Sequence, residues 1–260
     1  DSPFDPPSRE SIVEAGAAYV LFGRNAGNPF PSTLELSTDA NVALFGGESQ
    51  GLAGRVANGG DVNNDGLADI LIGAPGVDGS TIGGNTGATY LILGRATWPR
   101  TLSLTRDSSM TLYGAARGDQ SGVAVSNAGD VNGDGYEDIL IGTSLASPGG
   151  LQFAGSSYLI FGRGSFTGTM NLGQADVTIN GIAMGGQSGR ALDISGDLNG
   201  DGFADIVIGA FNASPGGKSA SGQVYVVYGR ALFPSTVSLS TSGMTISGEN
   251  AFDNLGFSVS

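Results

Sequence analysis

The stretch "DVNNDGLADILIGAP", Asp61 to Pro75, returns as "DVNGDGYEDILIGTS" from Asp130 and as "DLNGDGFADIVIGAF" from Asp197. Each copy joins an aspartate-rich loop to a short run that is apolar at successive positions. A second block recurs with it: "GAAYVLFGR" at Gly16, "GATYLILGR" at Gly87, "GSSYLIFGR" at Gly155 and "GQVYVVYGR" at Gly222. A third follows each tyrosine run, as "NVALFGG", "MTLYGAA", "VTINGIA" and "MTISGEN", with Leu44, Leu112, Ile179 and Ile246 in register. All three blocks step by 67 to 71 residues, so they belong to one repeating unit.

Each unit offers about four strand candidates. They are rich in Ile, Val, Leu and Tyr and are bounded by Gly, Asp, Asn and Pro, which marks antiparallel sheet. The "DILIGA" runs are apolar on both faces and suit strands packed between neighbouring sheets. Alternating runs such as "TLSL", at Thr101, suit an outer, half-exposed position. Four-stranded units repeated in tandem at this length predict an all-β fold, a β-propeller of four-stranded antiparallel blades. A β-solenoid is the competing architecture, but its coils are much shorter than 67 residues. The units span approximately 52–118, 121–186 and 188–250, with partial blades at 11–47 and 255–260. The opening residues align with the connection that follows "ILIGA" elsewhere. The closing "FDNLGFSVS" aligns with the strand before an aspartate loop, which reads as an excerpt of a longer array or as elements completed by another chain.

Composition bounds the chemistry. The chain has 46 glycines, 24 acidic residues against 11 basic ones, a formal charge of −13, and no Cys or His. So acidic a chain predicts no nucleic-acid partner and points to cations or cationic partners. Without Cys and His there are no disulfides, no Ser-His-Asp or Cys-His catalysis and no ordinary zinc site. The apolar runs are far too short to span a membrane as helices, and the first residues lack the order of a signal peptide.

The loops present oxygen ligands only, at positions 1, 3, 5 and 9: Asp61, Asn63, Asp65 and Asp69; Asp130, Asn132, Asp134 and Asp138; Asp197, Asn199, Asp201 and Asp205. Such a set fits Ca²⁺, which takes six to eight oxygens at about 2.3–2.6 Å. Gly66, Gly135 and Gly202 permit the bend. Position 7, held by Leu67, Tyr136 and Phe203, varies in side chain, as expected of a residue that offers its backbone carbonyl. The loop is not an EF-hand, because position 12 is an isoleucine inside a strand, which leaves the ninth-position Asp to close the site. Asp-Gly and Asn-Gly also form turns without any ion. Against that simpler reading stand three in-register copies, each placing three mutually repelling carboxylates within nine residues.

These blocks resemble the FG-GAP repeats that build the N-terminal β-propeller of integrin α subunits and many surface proteins. "GGDVNNDGLADILIGAP" with "GATYLILGR" carries the likeness, and it covers essentially the whole chain. Departures are local: the Phe-Gly element that opens the family pattern appears as "LGF" only near Gly256, and Gly-Ala-Pro, intact at Gly73 to Pro75, becomes "GTS" at Gly142 and "GAF" at Gly209. The resemblance implies one Ca²⁺ in each matched loop, pinning the hairpin between the first two strands of a blade, and three ions in all. It implies a non-enzymatic scaffold for adhesion or recognition, extracellular or at a cell surface, with a protein or glycan ligand. The alternative is a structural protein that assembles with further copies of itself.

Other features are weaker. Glu10, Glu14, Glu35, Glu48, Asp107, Asp119, Asp176 and Asp193 form no recurring pair for acid–base catalysis. "SPGG" at Ser147 and Ser214 reads as loop, since no phosphate-binding Gly-Lys-Ser/Thr follows a strand. The recurring Arg24, Arg95, Arg163 and Arg230 form either an anion-binding ring or, the favoured reading, strand-end partners for a neighbouring blade's acid. "NAS" at Asn212 is a weak glycosylation signal.

Overall fold

A computed structural model of the chain describes residues 14–25, 27–57, 60–79, 84–127 and 129–260. Its strands follow the repeat. The first group is β1 (Ala17–Val20) and β2 (Val42–Phe45), and the second is β3 (Arg55–Ala57), β4 (Ile70–Ala74), β5 (Ala88–Ile92), β6 (Thr101–Ser103) and β7 (Met110–Tyr113). The third is β8 (Ala124–Asn127), β9 (Ile139–Thr143), β10 (Ser156–Ile160), β11 (Gly168–Asn171) and β12 (Val177–Asn180). The fourth is β13 (Ala191–Ile194), β14 (Ile206–Ala210), β15 (Gln223–Val227), β16 (Thr236–Ser238) and β17 (Met244–Ser247). Helix is confined to single turns, among them α1 (Leu36–Asp39) and α2 (Leu104–Asp107).

Four sheets result, in the orders β1-β2-β6, β3-β4-β5-β7-β11, β8-β9-β10-β12-β16 and β13-β14-β15-β17, and none closes on itself. In the last three, the first, second, third and last strands of a unit pair antiparallel in that order, and in the first sheet β1 pairs antiparallel with β2. The fifth strand corrects the expectation for the alternating runs. "TLSL" does lie outermost, but in the preceding unit's sheet: β6 runs parallel to β2, β11 to β7 and β16 to β12. Each unit thus lends one short strand backwards, and the sheets are linked by backbone as well as by side chains.

The doubly apolar runs sit as expected. In β9, Ile139 and Ile141 join a core cluster with Leu71, Leu91 and Leu112 of the second sheet, while Leu140 between them joins Ile194, Ile206 and Ile208 of the fourth. Adjacent side chains of an extended strand point to opposite faces, so a strand with a sheet on each side must be apolar throughout. A third cluster lies between the first two sheets, around Val42, Leu44, Ile72 and Tyr90. Fully burying one such side chain contributes about 1.5–3 kcal/mol.

Glycine sets how closely the sheets approach. A Cβ on Gly73, Gly142 or Gly209 would overlap the carbonyl oxygen of Gly122, Gly189 or Gly256 in the following unit. Parallel bridges also mark the unit junctions, Gly16 to Ala53, Gly87 to Ser121 and Gly222 to Leu255. Leu255 and Gly256 therefore take the register expected of the segment before an aspartate loop, whereas residues 257–260 form no strand. Residues 11–13 of the expected first partial unit lie outside the described residues.

Candidate metal centre

The three aspartate loops fold alike because their side chains cap their own backbone. Position 1 accepts from the N–H of positions 5 and 6: Asp65 and Gly66 donate to Asp61 at 2.9 and 2.7 Å, Asp134 and Gly135 to Asp130 at 3.1 and 2.8 Å, Asp201 and Gly202 to Asp197 at 3.0 and 2.8 Å. The Asn at position 3 accepts from the N–H of position 5 at 2.9–3.2 Å and donates its amide to that residue's carboxylate at 2.8–2.9 Å. Position 5 in turn accepts from the N–H of Leu67, Tyr136 or Phe203 at 2.9–3.0 Å. Gly66, Gly135 and Gly202 have φ of 85°, 90° and 93°, and a Cβ there would meet nothing within 4 Å, so backbone conformation rather than space requires glycine. Position 4 is left-handed too, as Asn64, Gly133 and Gly200.

The ninth-position aspartates behave differently. Asp69, Asp138 and Asp205 are fully buried. One oxygen of each accepts the N–H of position 2, Val62, Val131 or Leu198, at 2.8–2.9 Å. The other accepts the N–H of the glycine after the third strand, Gly94, Gly162 or Gly229, at 2.7–2.8 Å. Among the described residues the ion pairs are Arg106–Asp107 and Arg163–Asp176, so none of the three has a basic partner there. Burial pushes the Asp138 carboxyl up to about 7, against the lowering effect of its two N–H donors and with help from Asp134 and Asp130. Asp69 is raised for the same reasons. The exposed Asp197 is lowered, chiefly by the Gly202 N–H.

Among the described residues no three carboxylates converge tightly enough to enclose an ion. The residues nevertheless fit one chemically. Every donor is a hard oxygen, and an ionised carboxylate offers about four lone-pair sites, of which the N–H contacts above use only part. A buried anion without a cationic partner is costly, and a cation at the loop would compensate it.

The loops also touch one another, which the spacing did not reveal. Asp61 N–H donates to Glu137 of the second loop at 2.7 Å, and the Asn64 amide to the Gly135 carbonyl at 3.2 Å. The Asp130 carbonyl accepts from Ala204 N–H of the third loop at 3.0 Å, while Val62 and Val131 carbonyls accept from Arg163 and Arg230 N–H at 3.0 and 2.9 Å. The loops thus form one hydrogen-bonded row.

Among the described residues the recurring arginines form no anion ring and reach no neighbouring unit's acid. Arg24, Arg95, Arg163 and Arg230 stack over Phe30, Trp98, Phe166 and Phe233 of their own units at 4.8–5.3 Å, and Arg163 pairs with its own unit's Asp176 at 2.9 Å. It is the Arg163 and Arg230 backbone that bridges units. "SPGG" makes local turns in which Ser147 and Ser214 accept from Phe153 and Ala220 N–H. Asn212 donates its amide to the Gly185 carbonyl at 2.8 Å.

The family model of the FG-GAP repeat matches residues 53–92, 121–160 and 188–227, each running from the glycine junction through the aspartate loop to the tyrosine strand. The bovine phosphatidylinositol-glycan-specific phospholipase D is 32% identical over 207 residues, which cover 76% of this chain and 23% of the bovine protein. Integrin alpha-4 of Xenopus laevis is 30% identical over 182 residues, 68% of this chain and 16% of the integrin. Human integrin alpha-IIb is 33% identical over 161 residues, 57% of this chain and 14% of the integrin. The chain thus spans less than a quarter of the length of these relatives. It belongs to the FG-GAP repeat family.

Proposed function

We propose that these FG-GAP repeats are blades of a calcium-binding β-propeller, a non-enzymatic scaffold for adhesion or recognition outside the cell. The layered sheets support the propeller: each unit is a four-stranded meander, and the first strands β3, β8 and β13 adjoin one another in turn. The ninth-position side chains carry the calcium reading, since among the described residues three units repeat the same buried carboxyl group without a basic partner, beneath an all-oxygen loop. In each loop the side chains of positions 1, 3, 5 and 9 hold the ion with the carbonyl of Leu67, Tyr136 or Phe203. When bound, the ion supplies positive charge, and three ions bring the formal charge from −13 to −7. The protein's own part is to preset the loop through its caps and to tie it to the third strand through Asp69, Asp138 and Asp205. The phospholipase activity named for some relatives belongs to proteins more than four times longer than the shared segment.

Surface exposure of the propeller's loops suits a protein or glycan partner. Among the described residues no helix is long and apolar enough to cross a membrane. Thermal melting with and without a chelator tests the calcium reading. A ligand bound only by the folded state stabilises it by about 2.7 kcal/mol per site at a hundredfold excess over its Kd. Calcium should raise the melting temperature, and Asp134→Ala should reduce the gain. Identical melting in calcium and in chelator refutes the proposal.

A further inference from the structure

Neighbouring aspartate loops are joined through their closing residues. Asp138 of the second loop accepts Gly162 N–H at 2.8 Å, and the next residue, Arg163, donates its N–H to the Val62 carbonyl of the first loop at 3.0 Å. Val62 in turn donates its own N–H to Asp69 at 2.9 Å. The two buried carboxyl groups are therefore connected by consecutive hydrogen bonds through the residues that follow β10. The same relay links Asp205 to Asp138 through Gly229, Arg230 and Val131, at 2.8, 2.9 and 2.8 Å.

The first junction adds two bonds made by side chains. Glu137 accepts Asp61 N–H at 2.7 Å, and the Asn64 amide donates to the Gly135 carbonyl at 3.2 Å. At the second junction Ala204 and Gly133 stand in the places of Glu137 and Asn64, and neither has a side chain that could make either bond. Its extra contact is made by backbone, Ala204 N–H to the Asp130 carbonyl at 3.0 Å.

The placing of the two side-chain bonds matters. Glu137 lies between Tyr136 and Asp138, and Gly135 between Asp134 and Tyr136, so each is flanked by proposed ligands of the second loop. Their partners in the first loop are a proposed ligand, Asp61, and Asn64, which lies between Asn63 and Asp65. Asp61 and Glu137 are half-buried, and a carboxylate acceptor makes a hydrogen bond roughly twice as strong as a neutral one.

We propose that calcium binding to the first and second loops is positively coupled, and that Glu137 and Asn64 are positioning residues that transmit the coupling. This rests on the calcium reading and deepens it. Three carboxylates repel one another in a loop without its ion, and the ion removes that repulsion. Loading the second loop fixes Tyr136 and Asp138, hence Glu137 between them, hence the Asp61 backbone at the start of the first loop. The first loop then has less freedom to lose when its own ion arrives, and by linkage the effect is reciprocal. Direct repulsion between the two ions acts the other way, and salt at about 0.15 M screens exposed charges beyond about 8 Å.

Calcium titration calorimetry on the 260-residue chain at that ionic strength tests the coupling, with loops silenced by alanine at position 5. Asp201→Ala leaves the first two loops. Adding Asp134→Ala leaves the first alone, and adding Asp65→Ala instead leaves the second alone. The product of the two association constants measured together, divided by the product of the two measured singly, is the coupling factor, and about fivefold or more is expected. Glu137→Ala with Asn64→Gly installs the residues that the third loop carries at these places, Ala204 and Gly200, and should lower the factor about threefold. Glu137→Gln keeps an oxygen acceptor for Asp61 N–H and should lower it less. Loss of the Glu137 charge weakens the first loop equally in the single and joint titrations, so it cancels from the factor. Should a silencing variant lose its circular dichroism, asparagine at the same position, which can keep the cap, replaces the alanine. Calcium bound at both loops with a factor of one overturns the coupling alone, as does a factor that Glu137→Ala with Asn64→Gly leaves unchanged. No calcium uptake at all overturns the calcium reading and the coupling with it.

Discussion

Replacing Gly142 with alanine isolates the contact on which the sheet spacing depends. Gly142 lies in β9 without a left-handed φ, so alanine fits its own backbone, and in open space the exchange would stabilise by about 0.4–1 kcal/mol through the unfolded chain. The added Cβ, however, falls on the Gly189 carbonyl oxygen, far inside the 3.0 Å that real Cβ atoms respect, with Leu192 also at 3.0 Å. The Leu192 methyl can rotate away, but the Gly189 carbonyl is backbone and cannot, so the third and fourth sheets must part by about an ångström. That loosens the cluster holding Leu140, Ile194, Ile206 and Ile208. Overpacking costs about 1–3 kcal/mol, and the rigid backbone places this case at the upper end. For a chain of this length about 2–3 kcal/mol lowers the melting temperature by roughly 4–12 °C. Chemical denaturation with calcium held constant reads the difference, and Gly23→Ala, where nothing lies within 4 Å, serves as the neutral control. A Gly142→Ala protein as stable as the Gly23→Ala control would refute glycine-limited packing.

Two further outcomes concern the loops. In chelator, Asp138 binds its proton more tightly in the folded protein, about 7 against an ordinary 3.8, so stability should fall as pH rises from about 4 to about 7, by a few kcal/mol at most. Asp138→Asn should flatten that slope in chelator-treated denaturation curves, and a slope unchanged by the substitution contradicts the burial argument. Gly202→Ala should destabilise by about 1–2 kcal/mol through its φ of 93° alone, since its Cβ meets nothing, and Gly202→Asn should cost less than Gly202→Val.

Much of this was legible in the residues. The β9 run Ile139-Leu140-Ile141 announces a strand with a sheet on each side, and the three recurring blocks give the meander, because both follow from local periodicity. What the "TLSL" run pairs with was not legible: a three-residue parallel strand has no signature beyond alternation, and whether it joins its own sheet or the preceding one is decided by how the sheets stack. The aspartate positions stood out by composition and spacing, but the two N–H donors on Asp138 come from Val131 and from Gly162, 24 residues away, and only the folded chain brings Gly162 there. Glu137, the eighth residue of its loop, has no counterpart in the other two, where Ala68 and Ala204 stand. Its contact with Asp61, 76 residues earlier, depends on adjacent loops lying side by side. For Arg163, Phe166 three residues on is the signal in the sequence for the ring it stacks over.

The central claim is that each aspartate loop holds one calcium ion. Crystals of the chain grown in millimolar calcium, measured by anomalous scattering, test it most directly. The account predicts three peaks, at the loops beginning Asp61, Asp130 and Asp197, each bonded to side chains of positions 1, 3, 5 and 9 and to the carbonyl of Leu67, Tyr136 or Phe203. Density at those loops without an anomalous peak would contradict it and leave the aspartates as turn formers alone.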